Sequence, residues 1–94
     1  MQVHFSESLE SGRGHTALGR IQAFTHWRRA DKPIAALDRD IALRALVREA
    51  EDFGADALLA VSFEVEEVKG VDIDAVPLLR VKATGQAVRL RAAA

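Results

Sequence analysis

The sequence contains no cysteine. This absence excludes disulfides, thiolate metal sites and catalysis by a thiol nucleophile. Tyrosine is absent as well, and none of the serines lies in the Gly-x-Ser-x-Gly pattern of a nucleophilic elbow. No glycine-rich phosphate-binding loop follows a predicted strand. Because the usual constellations of catalytic residues are missing, an enzyme is the least favoured class of function.

Long apolar runs are missing too. No run approaches the roughly 18 residues that a membrane-spanning helix needs. The N-terminal segment MQVHFSESLE carries acids and lacks the apolar core of a signal peptide. We therefore expect a cytoplasmic protein that does not contact a membrane.

An excess of charge of one sign is the third absence. The net charge is −1 and the pI is about 6.3, which gives no general attraction for nucleic acid. One segment, residues 25–32, combines Trp27 with Arg28, Arg29 and Lys32 and could stack on bases and bind phosphates. Since no wider basic surface accompanies it, we favour a solvated connector whose tryptophan folds back on the core, and we predict no nucleic-acid partner.

The composition is that of one small globular domain. Of the 94 residues, 49% are hydrophobic and 29% are charged, so we predict a single domain spanning residues 1–94. A chain of this length buries only roughly 60–65% of its unfolded surface, which leaves a marginal core. Without disulfides, association with further copies is the remaining way to add stability.

One helix is predicted over residues 33–53, with Asp31 as its cap and Gly54 as a left-handed end. Apolar residues at three- and four-residue spacing form a core stripe: Leu43, Leu46, Val47, Ala50 and Phe53. A second stripe is rotated away from it: Ile34, Leu37, Ile41 and Ala45. A single helix on a single sheet needs only one stripe, so the second stripe predicts another partner.

Four strands are predicted, over residues 2–5, 15–24, 56–66 and 78–90. In the third, one apolar face comprises Leu59, Val61, Phe63 and Val65, while Leu58 and Ala60 make the start of the other face apolar too. This end of the sheet is therefore expected to be buried on both sides. In the last strand the apolar phase slips by one, which predicts a bulge within residues 83–86. Arg80 and Lys82 would then pair across strands with Glu64 and Glu66.

The segments AEDFGADALLAVSFEV and VKATGQAVRL resemble the closing half of the YbjQ-like family of small bacterial proteins. The matching residues are Ala50, residues 54–57 and residues 83–88. The resemblance implies an α+β fold, a two-layer β-α-β-β unit with one helix on a mostly antiparallel sheet. It further implies a dodecin-like arrangement assembled as a homopentameric ring, and the family carries the label of a heavy-metal-binding domain. The family's Gly-Gly-Arg-Ser stretch before the helix is replaced here by residues 25–29.

A metal site is the sharpest chemical hypothesis. Its candidate ligands are His4, His15 and His26, joined by the carboxylates of Glu64, Glu66, Glu67, Asp72 and Asp74. None has a recognisable spacing such as His-Glu-x-x-His, and three ordinary surface histidines are the alternative. Without cysteine the ion would be a divalent metal such as zinc, held by nitrogen and oxygen. In a ring, one histidine per subunit repeated around the axis could build such a site.

Three classes of function follow from these observations. The favoured one is a homo-oligomeric binding module for a metal ion or small ligand at subunit interfaces. The alternatives are a structural or protein-interaction ring with no ligand of its own, and an uncharacterised enzyme. The predicted partner is a second copy of the chain, with the pentamer implied by the resemblance alone.

Overall fold

The computed structural model describes residues 1–7, 14–30, 36–69 and 76–90. The elements, in chain order, are β1 (Gln2–Val3), β2 (His15–Phe24), β3 (Arg28–Arg29), α1 (Ala36–Asp52), β4 (Ala57–Val68) and β5 (Leu78–Leu90). One helix packs on a five-stranded mixed sheet, which confirms the α+β class.

The sheet has the order β1-β4-β5-β2, with β3 pairing with β5 beyond the end of β2. The β1–β4 pair is parallel and the other pairs are antiparallel. β3 lies within the segment predicted to be an irregular connector. Arg28 and Arg29 pair there with Leu79 and Leu78, and the amide of Ala30 donates to the carbonyl of Pro77 at 2.8 Å.

The helix buries a row of residues at four-residue spacing, namely Asp38, Ala42, Leu46 and Ala50. Leu43 and Val47 pack against this core from one flank. The predicted core stripe was wrong at Phe53, which is 57% exposed because the helix ends at Asp52 and the chain turns away. The alanines let the helix approach the sheet closely. The proposed cap Asp31 and the predicted first turn lie outside the described residues.

The helix ends in a Schellman motif, as predicted at Gly54. Gly54 has φ 77°, and its amide donates to the carbonyl of Glu51 at 2.9 Å. The amide of Ala55 donates to the carbonyl of Ala50 at 3.0 Å. These two bonds satisfy carbonyls that have no partner inside the helix. The chain then enters β4 at Ala57 without a long loop.

The prediction of a bulge within residues 83–86 was wrong. β5 contains no bulge of its own, because its residues 82–87 pair consecutively with β2, and the irregularity opposite Gly85 lies in β4. The side chains of β5 alternate so that Val81 joins the helix-side core while Val88 joins a second cluster on the other face. The apolar residues before and after Gly85 lie on opposite faces of the sheet. Both faces are buried at this end, so no bulge is needed to bring these residues to one face. Register shifts occur on the two neighbours of β5, between Ala17 and Gly19 and between Leu59 and Ser62.

The bulge on β4 places Ala60 in the left-handed region, at φ 53°. Its amide donates to the carbonyl of Ser6 at 2.8 Å, so the N-terminal segment follows β4 as far as this point. The bulge also moves Leu59 and Val61 to opposite faces, so the single apolar face predicted for this strand was wrong. The second cluster, Ala57, Leu59 and Val88, is fully buried within one chain. Two-sided burial is thus confirmed, but this end of the sheet requires no partner.

Candidate binding groove beside the helix

The connector between β2 and β3 and the start of α1 frame a groove of about 330 Å³. Its lining combines an imidazole, an indole, an ion pair and an aliphatic side chain, from Thr25, His26, Trp27, Arg28, Asp38 and Ile41. Residues 25–28 lie within the segment predicted as a connector, and Ile41 lies on the helix stripe predicted to need a partner. Asp38 belongs to the buried row of the helix instead.

Thr25 anchors the connector to the sheet. Its hydroxyl oxygen accepts a hydrogen bond from the amide of Val81 at 2.9 Å, and its own amide donates to the carbonyl of Val81 at 2.9 Å. Thr25 is only 9% exposed, so both bonds are shielded from water. The anchor fixes the backbone next to His26, which remains exposed at the groove.

Arg28 and Asp38 form an ion pair at the base of the groove, in which Nη1 of Arg28 donates to Oδ2 of Asp38. Asp38 is 9% exposed and lies in the first turn of α1, where a negative charge complements the helix dipole. Sequence reasoning missed this pair. One feature of the sequence could have indicated that Asp38 is buried: it lies four residues before Ala42, at the start of the buried row of the helix.

One wall of the groove is held by a stack of side chains. The guanidinium of Arg80 lies 3.9 Å from the ring centroid of Phe24 and 4.4 Å from that of Trp27. Nε of Arg80 also donates to Oε1 of Glu66 at 2.7 Å. Cation–π contacts of this kind are worth about 1 kcal/mol each. Trp27 therefore packs on Arg80, and it keeps 39% of its surface exposed.

The three histidines proposed as metal ligands lie far apart within one chain. His4 follows β1 at one side of the sheet, where its amide donates to the carbonyl of Leu58 at 2.9 Å. His15 begins β2, the last strand at the other side, and pairs with Leu90. His26 lies beyond the opposite end of β2, whose 10 residues span about 33 Å. Of the three, only His26 lines the groove.

The donor set does not fit a heavy-metal site within one subunit. The chain has no cysteine, and the described residues contain no group of three histidine or carboxylate side chains that could hold an ion. Glu66 pairs with Arg80, and Glu64 pairs with Nζ of Lys82 at 3.0 Å, as the sequence predicted. These carboxylates are therefore neutralised by cations. Asp72 and Asp74 lie outside the described residues.

The predicted second helix stripe is open to solvent beside the groove. Leu37 is 60% exposed and Ile41 is 43% exposed. Ile41 also lines a neighbouring depression of about 260 Å³ with Arg44, Ala45 and Arg48. Ile34, the first member of the predicted stripe, is outside the described part of the chain. An apolar surface thus continues directly from the mouth of the groove.

A second hollow, of about 370 Å³, lies at the two bulges. It is lined by Glu7, Gly19, Arg20, Ala60 and Gln86. Its charged side chains, Glu7 and Arg20, are both exposed, whereas the groove beside the helix contains a buried carboxylate and a buried hydroxyl. Since fixed, shielded polar groups give a site its orientation, the groove is the better candidate.

Three comparisons with known proteins bear on the chain. The family model YbjQ_1, described as putative heavy-metal-binding, matches residues 4–91. No curated protein matches the sequence. A crystal structure of a protein with unknown function from Pediococcus pentosaceus ATCC 25745, of the DUF74 family, superposes with a TM-score of 0.70 at 17% identity, covering 97% of this chain and 98% of that one. This likeness shows a shared fold.

In the described part of the chain, no helix has the length and apolar character to cross a membrane.

Proposed function

The chain belongs to the YbjQ_1 family, and we propose on this premise that it acts as a homo-oligomeric binding module. In this proposal the ligand, a metal ion or a small molecule, sits at the seam between subunits, in the groove that contains His26. The assembly would be a dodecin-like ring, with a pentamer as the expected size. The cytoplasmic location stays a prediction.

The observation that carries the proposal is the double role of Ile41. Its side chain lines the groove and also belongs to the exposed apolar stripe with Leu37. A partner that covers this stripe would necessarily close one side of the groove. The site would then be complete only in the assembly, which agrees with the open groove of a single subunit.

The energetics favour coverage of the stripe. Fully burying a leucine or isoleucine side chain is worth about 1.5–3 kcal/mol, and Leu37 and Ile41 have about half of that burial still to gain. Together they would contribute about 2 kcal/mol per subunit. That is a sizeable fraction of the 5–15 kcal/mol that stabilises a small domain.

The chemistry of the groove limits the ligand. A heavy metal that seeks thiolates finds none here, so a metal would be bound by nitrogen and oxygen donors, with His26 repeated from several subunits. A small ligand would instead use the indole of Trp27 for stacking and the imidazole of His26 for a hydrogen bond. Both options require the same histidine.

Native mass spectrometry on protein taken directly from the cell tests this proposal. We expect an oligomer that carries a bound ion or small molecule in stoichiometric amount. The His26→Ala variant should lose this ligand, whereas His15→Ala, a matched change outside the groove, should retain it. An intact oligomer without any ligand would instead support the alternative of a purely structural ring. Retention of the ligand by His26→Ala would rule out this groove.

A further inference from the structure

We propose that the hollow at the two bulges is a second binding site, for a small zwitterion of the free amino acid class. In this site the guanidinium of Arg20 binds the α-carboxylate of the ligand, and the carboxylate of Glu7 binds its α-ammonium group. The site differs from the groove beside the helix in position and in chemistry. It depends neither on assembly nor on His26.

The hollow exists because both neighbours of β5 bulge at the same level. The irregularity in β2 lies between the partners of Ala87 and Val88, and the irregularity in β4 lies opposite Gly85. A bulge bends its strand and interrupts the ladder, so two bulges on either side of one strand open the surface of the sheet. The opening has a volume of about 370 Å³. Pockets that hold small ligands have volumes of about 300–1,000 Å³.

The backbone around the hollow adopts conformations that are rare elsewhere in proteins. Ala60 has φ 53° and Gly19 has φ 147°. Among the described residues, Ala60 is the only one other than glycine with a positive φ. Strain of this kind is concentrated at active sites and at segments that clamp ligands. A Cβ atom at Gly19 would meet no atom of the described residues within 4 Å, so this side of the hollow has room for a ligand.

Arg20 and Gln86 present hydrogen-bond donors side by side. They are direct partners across β2 and β5. Ile21 and Ala87 follow them in the chain, and both belong to the helix-side core. Because side chains alternate along a strand, Arg20 and Gln86 lie on the face opposite the helix. A guanidinium offers two parallel N–H groups that match a carboxylate, and the amide of half-buried Gln86 can add a further donor.

Glu7 lines the hollow because the N-terminal segment is bonded to the bulge in β4. The carbonyl of Ser6 accepts a hydrogen bond from the amide of Ala60 at 2.8 Å, which brings the next residue, Glu7, beside the hollow. Among the described residues, no ion pair joins Glu7 to Arg20, although both line the same hollow. Two opposite charges that face one hollow without pairing favour a ligand that carries both charges.

The rest of the described lining limits what the ligand's side chain can contribute. It consists of Gly19 and Ala60, which offer little apolar surface. A large apolar side chain therefore gains little from burial in the hollow. We expect the affinity to come from the two charged end groups, so that leucine binds no more tightly than serine.

Calorimetric titration of the intact protein with L-serine tests the site. Arg20→Gln and Glu7→Gln should each weaken binding about tenfold, the lower end of the effect of losing a hydrogen bond to a charged group. Arg39→Gln and Glu51→Gln are matched controls at exposed positions of α1 outside the hollow, and they should leave binding unchanged. Far-UV circular dichroism checks that each variant is folded.

Derivatives of the probe assign each charge without any change to the protein. N-acetyl-L-serine lacks the ammonium group and L-serinamide lacks the carboxylate, so the wild-type protein should bind each about tenfold more weakly than L-serine. Acetylation should not weaken binding to Glu7→Gln any further, and amidation should not weaken binding to Arg20→Gln any further. In each of these pairs the contact is already missing.

Three results would overturn the proposal. They are the absence of saturable L-serine binding, equal binding of L-serine and both derivatives by the wild-type protein, and unchanged binding by folded Arg20→Gln. His26→Ala should bind L-serine as the wild-type protein does, which separates this site from the groove beside the helix. Loss of L-serine binding in folded His26→Ala would place the ligand in that groove and would also overturn the proposal.

Discussion

Arg28 in β3 and Asp38 in the first turn of α1 form an ion pair across the base of the groove. The side chain of Asp38 is 12% exposed and that of Arg28 is 29% exposed. The pair joins the short strand that follows the connector to the helix that covers the sheet. It thereby fixes the position of His26 relative to Ile41.

Removal of this carboxylate should destabilise the fold. Asp38→Ala leaves the guanidinium of Arg28 half-buried without its partner, and we expect a loss of about 2 kcal/mol, below the 3–5 kcal/mol of a fully buried pair. Urea denaturation measures the change. Asp40→Ala, at an exposed position of the same helix, should change the free energy of unfolding by less than about 0.5 kcal/mol. Equal losses for both variants would show that the pair contributes nothing.

Gly54→Ala should destabilise the protein by about 1 kcal/mol, because φ at this position is 77°. A Cβ atom there would lie 2.9 Å from Nη2 of Arg89, the flexible end of a side chain that can move aside. The cost therefore comes from the backbone. Gly54→Asn should lose less, since asparagine tolerates the left-handed region better. Thermal unfolding of both variants checks this order, and an alanine variant as stable as wild type would contradict it.

Ala60→Gly should leave stability unchanged or raise it slightly. Ala60 has a left-handed backbone conformation, which costs a residue with a Cβ about 1–2 kcal/mol. Glycine avoids this strain but loses about 0.5–1 kcal/mol more conformational entropy on folding than alanine. Ala83→Gly is the comparison, at a fully buried position of β5, and should lose about 1 kcal/mol. Chemical denaturation distinguishes the two. A larger loss at Ala60 than at Ala83 would mean that its methyl group makes contacts that outweigh the strain.

Metal binding should depend on assembly. Since no described cluster in one chain can hold an ion, we expect titration with zinc to show saturable binding only in the oligomer. Cadmium should bind no more tightly than zinc, because thiolates are absent. Ile41→Asp should abolish the site together with the assembly. Val68→Asp, at a position of β4 that is 45% exposed and does not line the groove, should preserve both. Tight cadmium binding by the dissociated Ile41→Asp variant would contradict this account. A dissociation constant for zinc above about 1 mM would mean that the heavy-metal description does not apply to this chain.

Local chemistry made part of the fold predictable from the sequence. Gly54 between a helical and an alternating pattern correctly indicated the end of α1. The alternation of charges correctly paired Arg80 with Glu66 and Lys82 with Glu64. These features depend on neighbours along the chain or directly across one hairpin, where spacing alone determines which side chains meet.

The position of the bulge depends on the N-terminal segment and could not be derived in the same way. The amide of Ala60 bonds to Ser6, so the register of β4 is set partly by a segment far away in sequence. The apolar phase slip within β5 reflects burial on both faces of the sheet, so it could not show that the bulge lies in β4. The buried Asp38 was missed for a related reason, since its partner Arg28 lies on a short strand with no alternating pattern.

The central claim is that the second helix stripe, with exposed Leu37 and Ile41, and the groove beside it are completed by further copies of the same chain. Light scattering coupled to size-exclusion chromatography of the wild-type protein at micromolar concentration tests it most directly. The account predicts one stable species with a mass that is a multiple of 10.2 kDa, with five copies expected for the ring. A stable species of 10.2 kDa under these conditions would contradict it.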